Sequence, residues 1–247
     1  MTLALFADIH ANLEAFSACL AHAKDHAPDA YAFVGDLVGY GADPEAVLDL
    51  VQSCAEQGAI IVRGNHDAAV CHLGTDTMHA AAEEAIEWTR GRLSEGHLAF
   101  LAGLPLVARR ESLYFVHGSA EAPADWVYVT DPTRAWHSLN AAGVSYVFSG
   151  HVHEPVLYYT GAAQRPVAFR PIPGVPIPVP SRRRWLSIIG SVGQPRDGNT
   201  AACYAMLDLK RSTLTYFRVP YDWPAAAAKI RAAGLPERFA TRLGRGE

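Results

Sequence analysis

The chain has 247 residues and no apolar run of the ~18 residues that a membrane-crossing helix needs, so no membrane partner is expected. It also lacks an excess of positive charge. Twenty-one Lys and Arg stand against 25 Asp and Glu, a formal net charge of −4. Grip on nucleic acid needs clustered cations to neutralise phosphate, so there is no strong nucleic-acid signal. Cysteine is sparse: Cys19, Cys54, Cys71 and Cys203 form no CxxC pair. That argues against a disulfide framework and fits a reduced, cytoplasmic setting. The first ten residues carry Asp8 and His10 but no basic stretch, so no signal peptide is expected. Half the residues are hydrophobic and 19% are charged, which excludes a disordered or collagen-like chain. At this length roughly 70% of the unfolded surface can be buried without covalent staples. The residue in unusual supply is histidine, eleven in all.

Periodicity gives an α/β front half. Short apolar runs at 3–7, 31–34 and 59–62 read as buried strands. Between them, 11–26 shows helical spacing, and 44–57 reads as a helix opened by Pro44 with Asp43 as its N-cap. Strand, helix, strand, helix, strand argues for a parallel sheet flanked by helices. Helices are expected over 78–93, from Ser94 to about Gly103, and over 132–142, with strands at 113–116 and 144–148. The back half turns to β, at 156–159, 167–169, 185–189, 203–207 and 214–219, and a surface helix over 225–233 closes it. Residues 165–184 hold six prolines, five arginines and no acid, which suits an exposed loop or edge. Within it, Arg182–Arg184 reads as a solvated hairpin tip. No linker separates two domains. The expectation is one domain over 1–247, with a core at 1–220 and a helical extension at 221–247.

Five strand ends each deliver metal-ligand types: Asp8-Ile9-His10, Gly35-Asp36, Gly64-Asn65-His66-Asp67, His117-Gly118 and Gly150-His151-Val152-His153. In open α/β sheets ligands bind beyond the carboxyl ends of strands, so residues far apart in sequence can share one site. Each motif alone has a plain alternative. Asp8 could cap the next helix, Gly-Asn-His-Asp could be a polar turn with Asn65 in the left-handed region, and Gly-His-Val-His could be a surface turn. Their order, each after a predicted strand, is what selects the metal reading. Asp8, His10, Asp36, Asn65, His117, His151 and His153 are too many for one tetrahedral site and suit two ions sharing a carboxylate. Four imidazoles disfavour Mg²⁺ or Ca²⁺, and no thiolate takes part, leaving Mn²⁺, Fe²⁺, Co²⁺, Ni²⁺ or Zn²⁺.

In this ordered five-part form the sequence resembles the calcineurin-like metallophosphoesterase superfamily, and within it the small prokaryotic phosphodiesterase branch. Ala7–Ala15, Ile86–Thr89 and Gly190–Gly198 support the likeness, which covers roughly residues 2 to 210. The resemblance implies a four-layer α/β/β/α sandwich of two mixed β-sheets. It implies Asp8, His10, Asp36 and His153 around one ion, and Asp36, Asn65, His117 and His151 around the other, with manganese favoured. It makes His66 the proton donor to the leaving group, with Asp67 or Asp43 as the carboxylate that orients it. Arg196 is placed near the site, where it would contact substrate phosphate or pair with Asp197. Two departures bear on substrate preference. Ile188-Ile189 stands where relatives often carry Asn-Pro, and the Pro/Arg segment looks like a lengthened hairpin.

Two divalent ions, two carboxylates and a bridging hydroxide leave a net charge of about +1, which suits a singly charged phosphodiester. The expected function is therefore hydrolysis of small nucleotide-type phosphodiesters by in-line attack of a metal-bridging hydroxide. The alternatives are a phosphomonoesterase or nucleotide pyrophosphatase on the same site, or a non-catalytic scaffold of the same fold. The partner expected is a small phosphate ester, with room for a homo-oligomer.

Overall fold

A computed structural model describes residues 1–73, 78–161 and 166–247. Two six-stranded sheets pack face to face, each mixed in direction. The first runs β3-β2-β1-β11-β12-β9. Its strands are β1 (Thr2–Phe6), β2 (Ala30–Val34), β3 (Ile60–Val62), β9 (Ile177–Pro178), β11 (Ala202–Asp208) and β12 (Thr213–Val219). The second runs β4-β5-β6-β10-β7-β8. It consists of β4 (Val107–Arg110), β5 (Leu113–Val116), β6 (Tyr146–Ser149), β7 (Val156–Thr160), β8 (Pro166–Phe169) and β10 (Trp185–Ile188). β1, β2 and β3 are parallel, as are β5, β6 and β10, so these six strands send their carboxyl ends to one edge of the sandwich.

Strand alternation creates the layers, because successive side chains face opposite sides. On β1, Leu3 and Leu5 point between the sheets and meet Val34, Phe115 and Phe148. Ala4 and Phe6 point outward beneath α1 (Leu13–Asp25) and α2 (Pro44–Glu56). There Phe6 stacks on Phe33 and Tyr204, with ring centroids 5.5 and 5.2 Å apart. Beyond the second sheet, Val116, Val147 and Leu186 meet Leu139 of α6 (Pro132–Ala142). This is the expected four-layer α/β/β/α sandwich. α1 starts where it does because the Asn12 side chain accepts from the Ala15 N–H at 3.1 Å.

Four details differ from the sequence reading. α3 (Asn65–Val70), β4 and β9 were not anticipated; each is short, and none carries enough residues to show a period. Asp43 caps α2 by position but not by side chain, which instead takes an ion pair from Lys229 at 3.0 Å. The C-terminus is not one surface helix. α7 (Trp223–Ala232) and α8 (Glu237–Leu243) bury Ile230, Phe239 and Leu243 against α4 (Ala80–Arg92) and Tyr40. Finally, Arg184 is not a solvated tip, since its guanidinium donates to Asn140 at 2.8 Å and lies 5.0 Å from the Trp136 ring. The rest of the Pro/Arg segment forms β8 and β9 at the open edges of the two sheets, as its proline content suggested; Arg165 lies outside the described residues.

Candidate metal centre

All seven expected ligands come to the shared edge, six of them buried and Asn65 partly so. Asp8 and His10 follow β1, Asp36 follows β2, Asn65 opens α3 after β3, His117 follows β5, and His151 and His153 follow β6. The backbone there is strained. Asp8, His10, Asp36, His151 and His153 all have positive φ, between 50° and 68°. Non-glycine residues rarely adopt that region, at a cost of order 1–3 kcal/mol each. Bending the chain off each strand this sharply turns the side chains to a common point. Asn65, in contrast, is helical rather than left-handed, so the polar-turn alternative does not describe it.

The histidines are oriented from behind. The Nδ1–H of His10 donates to the Val38 carbonyl at 3.2 Å, that of His117 to Val34 at 2.8 Å, and that of His153 to Gln194 at 2.7 Å. A carbonyl only accepts, so each Nδ1 carries the proton and each Nε2 presents a bare lone pair inward. Those lone pairs crowd. His10 and His153 Nε2 lie 3.1 Å apart, His117 Nε2 lies 3.2 Å from Asp36 Oδ2, and His153 Nε2 lies 3.3 Å from Asp8 Oδ1. His151 Nε2 is buried with no hydrogen-bond partner. Converging lone pairs and carboxylates repel one another unless cations sit among them, and histidines fixed this way from behind are the usual arrangement around metals. The donors fall into two groups, Asp8/His10/Asp36/His153 and Asp36/His117/His151, which share Asp36. Asn65 joins the second through its Oδ1, 3.1 Å from His117 Nε2. Oxygen and imidazole donors without thiolate fit divalent transition ions.

Charge within the protein follows the geometry. Burial disfavours ionisation of Asp36, but His117, His66 and His10 around it hold its carboxyl well below the usual range. Burial opposes a charged His117 as well, yet without a cation Asp36 raises it to about 9, so there its Nε2 also carries a proton, which metal binding would displace to free the lone pair. His10 and His151 are held well below their ordinary values, first by burial. His66 falls to about 4 by burial, the neighbouring imidazoles adding to the effect. A histidine whose folded pKa lies below its unfolded 6.5 takes up a proton on unfolding. Its contribution is whole above 6.5 and is lost as pH falls toward the folded value. Asp67 and His117, whose values are raised, drift the opposite way over this window, so the variant isolates the His66 contribution: in metal-stripped protein the melting temperature at about pH 7 minus that at about pH 5 should be smaller in His66→Gln than in the unaltered chain. A difference of the same size in the variant contradicts a buried neutral His66.

His66 joins the site, its ring 4.9 Å from that of His10 and 4.3 Å from that of Tyr40. Its Nδ1 is buried without a partner, shut against Gly39, where an added Cβ would lie 2.6 Å from that nitrogen. Nε2 is thus the ring nitrogen left free toward the cavity that His66 lines. Asp67, expected to serve this imidazole, does not touch it. Its oxygens accept from the backbone N–H groups of Leu37, Val38 and Gly64, at 2.9, 3.2 and 2.9 Å. Burial and the nearby Asp36 charge push its carboxyl up to about 7. Asp67 ties the loop after β2 to the start of α3, because an adjacent residue on a helix cannot turn back onto its neighbour's ring. Asp43, the other candidate, is engaged by Lys229. Gly64 is required by close approach, since any Cβ there would collide with the Asp36 carboxylate.

A cavity of about 520 Å³ opens over the site, lined by Asn65, His66, His151 and Arg196. Arg196 does not pair with Asp197, which is taken by Arg218, but donates to Gln194 Oε1 at 3.1 Å. The sequence reading missed the other walls, among them Tyr40, Asp125, Trp126, Tyr128, Arg134 and Arg242. The only signal available was the aromatic density of 126–128 in the loop after the His117 strand.

A family model described as calcineurin-like phosphoesterase matches residues 1–155. A protein of Methanocaldococcus jannaschii, described as uncharacterized, is 31% identical over 98% of this chain and 96% of its own length. Among solved structures, a metallophosphoesterase from Sphaerobacter thermophilus is 34% identical with a TM-score of 0.89, covering 100% of this chain and 99% of that one. A hypothetical protein from Pyrococcus horikoshii shares the fold at 17% identity, with a TM-score of 0.81 over 100% of this chain and 98% of its own.

Proposed function

Because this chain belongs to the calcineurin-like phosphoesterase family, we propose that it is a phosphodiesterase for small nucleotide-type diesters, using two divalent ions with manganese favoured, in the cytoplasm. The observation that carries this reading is the set of Nε2 lone pairs, each fixed by a backbone carbonyl, turned toward two carboxylates. Asp8, His10, Asp36 and His153 would hold one ion, and Asp36, Asn65, His117 and His151 the other. When bound, the ions supply charge that acidifies water and neutralises phosphoryl oxygens. The chain's own residues do the rest. Asp36 couples the two groups, His66 Nε2 faces the cavity to give a proton to the departing oxygen, and Arg196 reaches the same space to grip phosphate. With only two carboxylates against two divalent ions the centre stays cationic, which matches a singly charged diester.

The test adds Mn²⁺, Ni²⁺, Zn²⁺ or Mg²⁺ back to metal-stripped protein and assays bis(p-nitrophenyl) phosphate beside p-nitrophenyl phosphate. The diester should turn over faster by roughly tenfold or more in kcat/KM, about 1.4 kcal/mol, and best with Mn²⁺. Faster turnover of the monoester with every metal contradicts the assignment.

A further inference from the structure

The cavity is too large for an inorganic phosphate and lies within the usual range for organic ligands of nucleotide size. Its floor is the metal centre. One of its walls carries more positive charge than the phosphodiesterase reading, which uses Arg196 alone, accounts for. Arg196 stands there with Arg242, which comes from α8 in a stretch that carried no motif. Arg196 Nε is buried and has no hydrogen-bond partner. Among the described residues, neither arginine makes an ion pair with a carboxylate. Arg134, on the same cavity, is different: its Nε lies 3.5 Å from Asp131, and it also donates to the Tyr128 carbonyl. Burial and the facing Arg196 charge together lower the proton affinity of Arg242. Asp125 on the same cavity pairs with neither, and Glu247, which acts on Arg242 from nearby, pairs with Arg245 at 3.7 Å. Two guanidinium groups turned to one space with no ion-paired carboxylate among the described residues are unfavourable on their own, and a ligand that brings negative charge relieves them.

The remaining walls are aromatic. Tyr128 is half exposed and stacks on His151, with ring centroids 3.7 Å apart and planes 21° apart. Trp126 beside it is held at φ 52°, a strained setting for a bulky residue, and its ring lies 6.1 Å from that of His117. Such faces suit a planar base. On the other side Tyr40 bridges His66 and Phe239 of α8, which fixes the height of α8 over the site.

We propose that Arg242, beside Arg196, forms a subsite for a second anionic group, so that the substrate is a nucleoside phosphodiester carrying a further phosphate. This rests on the phosphodiesterase reading and refines it. α8 is then a specificity element, and the 221–247 extension is part of the substrate site.

The test uses thymidine 5′-(p-nitrophenyl phosphate) with and without a 3′-phosphate, following nitrophenolate release. The full-length protein should favour the 3′-phosphorylated ester by about tenfold or more in kcat/KM. Arg242→Met, which keeps an unbranched apolar side chain and removes the charge, should remove that preference while leaving the plain ester within about twofold, and Arg242→Lys should retain part of it. An unchanged preference in Arg242→Met, or equal losses on both esters, overturns the proposal. A second arm needs no turnover: calorimetry with thymidine 3′,5′-bisphosphate and thymidine 5′-monophosphate. Tighter binding of the bisphosphate that disappears in Arg242→Met supports the subsite, and equal affinities in the unaltered protein overturn it. If neither ester is hydrolysed but the binding difference persists, the phosphodiesterase reading fails and the subsite stands.

Discussion

Replacing Asp36 with alanine should remove both ions in one step and lower phosphoesterase activity by roughly 10⁴-fold or more, about 5.5 kcal/mol of transition-state stabilisation. Asp36 is the one residue shared by the two donor groups. Its Oδ2 lies 3.2 Å from His117 Nε2 and 3.6 Å from His10 Nε2, one on each side. Its Oδ1 accepts from the backbone N–H of His66 at 2.9 Å, so the same carboxylate also sets the start of α3. Asp8 offers the contrast. It lies 3.3 Å from His153 Nε2 and accepts from the His151 N–H at 3.0 Å, but belongs to one group only. Asp8→Ala should therefore cost one ion and Asp36→Ala two, by elemental analysis of protein reconstituted under the same conditions. Asp36→Asn separates charge from shape, because the amide oxygen can still accept from His66 while the negative charge is gone. Two ions retained in Asp36→Ala would break the shared-ligand assignment.

The second large effect belongs to His66. His66→Gln should keep the full complement of metal and lose roughly 10²–10⁴-fold in kcat on diesters with alkoxide leaving groups, which need a proton to depart. On nitrophenyl esters, whose leaving group is already a stable anion, the loss should stay within about tenfold. The structure gives the reason for both halves. The ring contributes no atom to either donor group, yet lines the cavity above them. At about 4, its pKa leaves the imidazole neutral near pH 7 until an anionic phosphate arrives opposite Nε2 and raises its hold on a proton. Equal losses on both kinds of leaving group would assign His66 to positioning instead of proton transfer.

The convergence of the candidate ligands was legible because each follows a short hydrophobic run that reads as a buried strand, and such strands end at one edge of the sheet. Asp8, Asp36, His117 and His151 could be placed on one edge from that alone. The positive φ values of Asp8, His10, Asp36, His151 and His153 could not be foreseen, since Asp and His carry no side-chain requirement for that conformation; only the packed site enforces it. Asp67 was misread because sequence adjacency to His66 suggested contact, whereas consecutive residues on a helix point about 100° apart. Arg242 was invisible for another reason. It sits on α8, seven residues long, and reaches the cavity only because Phe239 seats that helix on Tyr40, a contact across most of the chain. Short elements and long-range packing leave no period to read.

Titration of metal-stripped protein with Mn²⁺, followed by electron paramagnetic resonance, addresses the convergence of these side chains most directly. Two ions bridged by Asp36 should bind per chain and give the broadened, exchange-coupled signal of a spin pair. Saturation at a single ion per chain, with the sharp six-line spectrum of isolated Mn²⁺, would contradict the shared centre.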